Sequence, residues 1–259
     1  LAHYVRKNEN YNENENLHAD GVLTFLFVGR LVKDKGINEL VRAFVRLWED
    51  FNSNFNFNSN FNFNSNSNSD SNSNDNGSGK SGGVRLILVG PEEPELDPLL
   101  PETKRMIAEC PGIEAVGAQK DVRPWMEMSD VLSFPSYREG FPNVVIEAGA
   151  MDLPSIVTDI NGSREIIVNE NYNENYNSHA EVGRDNYILH SEKMRVCDNG
   201  VVIPSQSEVA LYEAMKWMIE HPEERERMAK NARPMVARRF EQSYVRQCLK
   251  DFYKEVLNS

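Results

Sequence analysis

Six short apolar runs, each separated from the next by a helical pattern or a loop, constrain this chain more than any other feature. They lie at 22 to 28 (VLTFLFV), 84 to 89 (VRLILV), 113 to 116 (IEAV), 131 to 134 (VLSF), 155 to 158 (SIVT) and 200 to 203 (GVVI). Each is short and mostly β-branched or apolar, which suits a parallel strand buried on both faces. Between them, Leu40, Phe44, Leu47 and Trp48 fall on one face of a first helix, and Met106 and Ile107 sit in a second that opens at Pro101. Further helices are predicted at 124 to 128, 143 to 151 and 163 to 167. From Glu208 the tail is helical: Pro222 opens one helix, and Val245, Leu249, Phe252 and Val256 stripe the last. Such alternation implies an α/β fold with a doubly wound parallel sheet, whose ligand sits at the carboxyl ends of the strands. The chemistry is therefore expected in the loops that follow strands.

Three tracts break the pattern: NENYNENEN at 8 to 16, an Asn, Phe and Ser alternation ending DNGSG at 51 to 79, and NENYNENYN at 169 to 177. They lack the varied apolar set that offsets the cost of ordering a chain, so they read as unstructured inserts in one domain spanning 1 to 259. The inserts are placed at about 8 to 16, 51 to 83 and 169 to 198. The alternation from Phe51 to Phe63 also fits an amphipathic strand, but its second face is all Asn and Ser. Charge follows the same division. The formal net charge of −12 argues against nucleic-acid or membrane-surface binding, yet the tracts hold seven of the 40 acids and no base. The remainder carries −5, so net charge says little about a phosphate-bearing ligand.

No apolar run is long enough for a membrane-spanning helix. The chain opens LAHYVRKNEN, without an initiator Met or an apolar leader, and reads as cut from a longer protein. Cys110, Cys197 and Cys248 are widely spaced and odd in number, which suits a reducing cytoplasm better than a disulfide framework or zinc site. Cys110 and Cys248 read as packing residues within apolar helical patterns.

Two loops could carry chemistry. After the first strand comes GRLVKDKG, residues 29 to 36, and then a helix start. Arg30 and Lys35 flank that start, where free N–H groups and the helix dipole favour an anion; a solvated basic loop is the plainer reading. No G-x-G-x-x-G follows the strand, which disfavours a nicotinamide enzyme. After the fourth run comes FPSYREGFPNVVIEA. Glu139 and Gly140 lie in its loop, a helix begins near Pro142 or Asn143, and Glu147 follows one turn in. Two carboxylates eight apart could accept hydrogen bonds from sugar hydroxyls; a helix-capping Glu139 and a salt-bridged Glu147 remain alternatives. Gly79-Lys80-Ser81 imitates the end of a P-loop, but Asn74 stands where the earlier glycine belongs, so it reads as linker.

Together these segments, with VRLILVGPEE, VGAQKDVRPWMEMSD and DNGVVIP, resemble the C-terminal, donor-binding half of a retaining glycosyltransferase of family 4, capsular and surface-polysaccharide type. The likeness covers 21 to 50, 84 to 168 and 199 to 257. It implies a GT-B architecture of two Rossmann-like domains, with the nucleotide sugar held mainly by the second. It further implies that Arg30 and Lys35 bind the diphosphate, that Glu139 binds donor-sugar hydroxyls and that Glu147 holds the ribose. The backbone of Gly29, Gly140, Phe141 and Asn143 would line the pocket, and residues from Gly117 to 122 would border the base. No D-x-D triplet occurs, so neither a catalytic metal nor a cofactor is expected. The donor would be a UDP- or GDP-linked sugar.

On the same resemblance the acceptor, a sugar or lipid-linked sugar, would belong to an N-terminal domain absent from this chain, leaving it able to bind donor but hardly to turn it over. The enzyme would be bacterial and cytoplasmic, or peripheral to the inner membrane, with no nucleic-acid partner. The last helix would cross back onto the other domain. Rival readings are a non-catalytic nucleotide-sugar-binding module and a GT-B-fold epimerase, though no His in these loops supplies proton-transfer chemistry. His3, His18, His179, His190 and His221 lack metal-ligand spacing and read as solvated or capping residues.

Overall fold

The computed structural model describes residues 21–55, 83–169 and 194–258. Seven strands form one sheet in the order β3-β2-β1-β4-β5-β7-β6. These are β1 (Val22–Val28), β2 (Gly83–Val89), β3 (Ile113–Gly117), β4 (Val131–Phe134), β5 (Ser155–Thr158), β6 (Arg195–Val196) and β7 (Gly200–Ile203). All neighbouring pairs are parallel except the edge pair β6 and β7. Phe25, Leu26 and Phe27 of β1 are fully buried in succession, and β4, β5 and β7 are buried along their whole length. A strand buried on both faces cannot alternate polar and apolar residues, and these do not.

Right-handed crossovers place the helices. The chain moves one way across the sheet through α1 (Ile37–Phe55) and α2 (Pro101–Glu109). It then returns past β1 through α3 (Arg123–Glu127) and α4 (Asn143–Ala150), so α1 and α4 cover opposite faces. Helix α5 (Glu208–Glu220) packs on α1, and α6 (Pro222–Phe240) packs on α4. Leu40, Val41, Phe44 and Leu47 of α1 are buried, as the helical spacing requires. The closing helix α7 (Gln242–Asn258) leans on α6. Among the described residues, no helix is long and apolar enough to cross a membrane.

Several expectations need correction. Residues 163–167 form turns rather than a helix. Asn199 ties off the end of these turns: its side-chain amide donates to the Ile166 carbonyl at 2.9 Å and accepts from the Val168 N–H at 3.0 Å. The second tract is shorter than read, because α1 runs on to Phe55 and β2 already starts at Gly83. Residues 51–55 are therefore helical, not a strand, and the rest of the Phe-Asn alternation lies outside the described residues. The third tract also ends sooner, since β6 and its turn occupy residues that had been given to the insert. Cys248 is exposed on α7 and packs no core, whereas Cys110 and Cys197 are buried. His221 caps the end of α5 and stacks on Trp217, with ring centroids 4.5 Å apart. The first tract, the other four histidines and Gly79-Lys80-Ser81 lie outside the described residues.

Candidate functional site

The strand order reverses at β1, which has β2 on one side and β4 on the other. Loops leaving β1 and β4 must diverge from that point onto opposite faces, and the crevice between them is where α/β sheets bind ligands. Here the two loops touch. Lys33–Lys35 form one tight turn closed by Gly36, whose left-handed backbone (φ 72°) brings its Cα so near β4 that a Cβ would lie 2.2 Å from the Pro135 carbonyl oxygen. The Tyr137 N–H donates to the Asp34 carbonyl at 2.8 Å, and Arg138 pairs with the Asp34 carboxylate at 3.5 Å. The loop after β2 joins from the other side. There Gly90 lies against the Gly29 carbonyl oxygen, 1.7 Å from where a Cβ would stand, and the Leu31 N–H donates to the Pro91 carbonyl at 2.8 Å.

These loops bring together charges distant in sequence. Lys35 Nζ is ion-paired and hydrogen-bonded to Glu139 Oε1, with each side chain only 15% exposed. The ammonium also lies 5.8 Å from the centre of the Phe134 ring. Arg30 is exposed and holds Glu93 at 2.7 Å; that hydrogen bond, helped by the nearby charge of Glu93, raises the guanidinium pKa further. Asp34 and Glu139 add smaller contributions in the same direction, so Arg30 feels the same acidic cluster. Arg30 and Lys35 are thus each paired with a carboxylate. An incoming anion would exchange partners with those carboxylates rather than meet bare charge.

Beside this cluster α4 begins at Asn143, with buried Pro142 as its N-cap residue. The amides of its first turn have no intrahelical acceptor. Gly140 is exposed, and a Cβ there would meet no atom within 4 Å, so the protein's own packing does not call for glycine at this position. Phe141 is 47% exposed and meets Phe240 edge-on at 5.3 Å. Glu147, one turn into α4, is half-buried, and its carboxylate makes no hydrogen bond or ion pair with a described residue.

Lys35, Glu139 and Gly140 thus lie in one crevice with Arg30 at its rim. Gly29 and Gly117 extend it along the carboxyl ends of β1 and β3, linked through Gly90, whose N–H donates to the Gly117 carbonyl at 2.9 Å. Glu139 is not a helix cap. Among the described residues, no three His, Cys, Asp or Glu side chains are grouped to hold a metal ion. Sequence reasoning gave no role to Asp34, Glu39, Glu93 or Tyr137. The Tyr137 hydroxyl donates to Glu39 Oε2 at 2.5 Å, and burial, then Glu39, pushes its pKa well above the usual value. All four lay in or next to the quoted motifs, but their partners are far away in the chain.

A profile of the glycosyl transferases group 1 family matches residues 78–221. The capsular polysaccharide biosynthesis glycosyltransferase CapM of Staphylococcus aureus is 27% identical over 143 residues, 55% of this chain and 30% of CapM. Among solved structures, sucrose-phosphate synthase from Thermosynechococcus elongatus superposes with a TM-score of 0.59 at 20% identity, over 93% of this chain and 47% of that one. HepE from Anabaena in complex with UDP gives 0.60 at 16% identity, over 91% and 49%. The chain therefore spans about a third of CapM and about half of either solved protein. At these identities the superpositions show a shared fold, while the profile covers more than half of the chain. The chain belongs to the glycosyl transferases group 1 family.

Proposed function

We propose that this chain is the nucleotide-sugar-binding part of a retaining glycosyltransferase that adds a sugar to a surface polysaccharide. The observation that carries the reading is the Lys35–Glu139 pair, held at the strand-order reversal beside the start of α4. A diphosphate entering the crevice takes over Lys35 and Arg30 as partners, in charge-assisted hydrogen bonds of about 1.5–3 kcal/mol each. Glu139, released from Lys35, accepts hydrogen bonds from donor-sugar hydroxyls, and Glu147 accepts them from the ribose. As the bond from sugar to phosphate breaks, negative charge grows on the departing diphosphate. Cations already fixed there stabilise it where it develops. The family membership supports transfer chemistry, CapM supports a polysaccharide product, and the UDP bound by HepE makes UDP sugars the first donors to try. The acceptor is assigned to the part of the relatives that this chain does not span.

Calorimetric titration with UDP- and GDP-linked sugars tests the reading. Saturable binding is expected, weakened about tenfold or more by Lys35→Ala or Arg30→Ala. Unchanged affinity in both variants would remove the site. Glu139→Ala should weaken a nucleotide sugar more than the free nucleotide, and equal losses would contradict its role.

A further inference from the structure

We propose that Tyr137 is a positioning residue whose hydroxyl, anchored on Glu39, holds Glu139 against Lys35; the functional meaning of that hold rests on the donor site proposed above. Tyr137 lies two residues before Glu139 in the loop after β4. It is tied at both ends of its length. Its N–H donates to the Asp34 carbonyl at 2.8 Å, and its hydroxyl reaches Glu39 Oε2, in the first turn of α1, at 2.5 Å.

Glu39 is itself braced. Arg42 donates to it at 3.4 Å and to Glu208 at 2.9 Å, so the anchor extends to the start of α5. At the near end of the loop, Thr158 donates to the Ser136 carbonyl, and Ser136 Oγ donates to Arg138 O at 3.2 Å. Beyond Glu139 no side chain fixes the loop: Gly140 is exposed, with open space where a Cβ would stand, and only its carbonyl lies against Gly162. Arg138 reaches the Asp34 carboxylate only from an exposed side chain, at 3.5 Å, so the Tyr137 hydroxyl is the last half-buried side-chain anchor before the residue that must meet Lys35. Freed of it, the loop can pivot about Tyr137 N and carry Glu139 away from the ammonium.

Two readouts test this on the same chain. Lys35 acetylation by an N-hydroxysuccinimide ester, followed by peptide mass spectrometry, reports the pair with no ligand present. Lys35 should react slowly in the unaltered chain. Tyr137→Phe, which deletes only the hydroxyl, and Glu39→Ala should speed it about fivefold, with Lys254 as the exposed internal reference. Glu39→Gln keeps an acceptor for the hydroxyl and should stay near the original rate. General loosening of the fold would also open buried Cys110 and Cys197 to a maleimide, and that outcome overturns the proposal, as does an unchanged Lys35 rate in Tyr137→Phe. The second readout compares UDP-glucose with UDP. Tyr137→Phe should weaken UDP-glucose about fivefold and UDP less than about twofold; equal weakening argues against positioning of Glu139. If the unaltered chain binds neither UDP-glucose nor GDP-mannose, the donor site falls, while the Lys35 rates still decide what Tyr137 holds.

Discussion

Helices α1 and α7 are 19 and 17 residues long, and each carries an apolar stripe at helical spacing. In α1, Leu40, Phe44 and Leu47 are at most 1% exposed, whereas Val245, Leu249, Phe252 and Val256 of α7 are 49–59% exposed. The difference lies in what arrives to cover the stripe. The crossover from β1 to β2 lays α1 on the sheet, and α5 then folds over its other side. That second contact is polar as well as apolar: Arg42 pairs with Glu208, Arg46 lies 4.0 Å over the Tyr212 ring, and the Tyr212 hydroxyl donates to Asp50 at 2.6 Å. Helix α7 packs chiefly on α6, whereas α5 and α6 also reach the strands, so among the described residues neither the sheet nor a second helix covers its stripe. Periodicity names the face that wants cover; topology decides whether cover comes.

The contrast can be broken most directly in the two stripes. Phe44→Ala empties a core position and should cost about 3–5 kcal/mol in urea unfolding, while Phe252→Ala should cost less than about 0.5 kcal/mol. Comparable losses would mean that α7 is covered in solution after all. Next in size, Gly36→Ala at the entry to α1 forces a side chain into a left-handed position and against Pro135. A loss of about 1–3 kcal/mol is expected, and a neutral result would place that entry farther from β4 than the geometry has it.

Tyr212→Phe probes the cover supplied by α5 and should cost about 1 kcal/mol near neutral pH. It also carries a pH signature. Burial, then Asp50, pushes the Tyr212 pKa from 10.0 up to about 12, so the folded state holds the phenol proton more tightly than the unfolded chain does. That contribution is complete below pH 10 and is lost as pH climbs towards 12. In the Phe variant, unfolding free energy should fall less steeply over this window; identical slopes would refute the assignment. The smallest effect involves no free energy. A maleimide should label Cys248 on α7 in the native chain and spare buried Cys110 and Cys197, whose pKa burial pushes up, to about 11 for Cys197. Rapid labelling of Cys110, which lies at the end of α2, would show that α1's side of the sheet opens.

Most strands and long helices were legible because their signals are local: an apolar run buried on both faces, or a stripe every three or four residues. The turns at 163–167 were not, because their end is tied off by Asn199, more than 30 residues later. β6 escaped notice as two residues at an edge. In the candidate site, sequence marked the two loops and the helix starts, since glycine, proline and the E-x7-E spacing are local. It could not pair Lys35 with Glu139 across 104 positions, nor Tyr137 with Glu39 across 98. Such partners are chosen by strand order, and strand order is written nowhere in a window of ten residues.

The ends of α1 and β2 also have a practical use. The crevice opens at the carboxyl ends of the strands, whereas Gly83 starts β2 at the amino end, about 23 Å away for a seven-residue strand. The connection from Phe55 to Gly83 therefore attaches at the opposite pole of the sheet. Closing a longer or shorter loop there changes folding free energy by only about 0.6 kcal/mol per doubling of length. It is the natural place to shorten the chain for crystallisation, because Phe55 and Gly83, which a shorter link would join, lie at the pole away from the crevice.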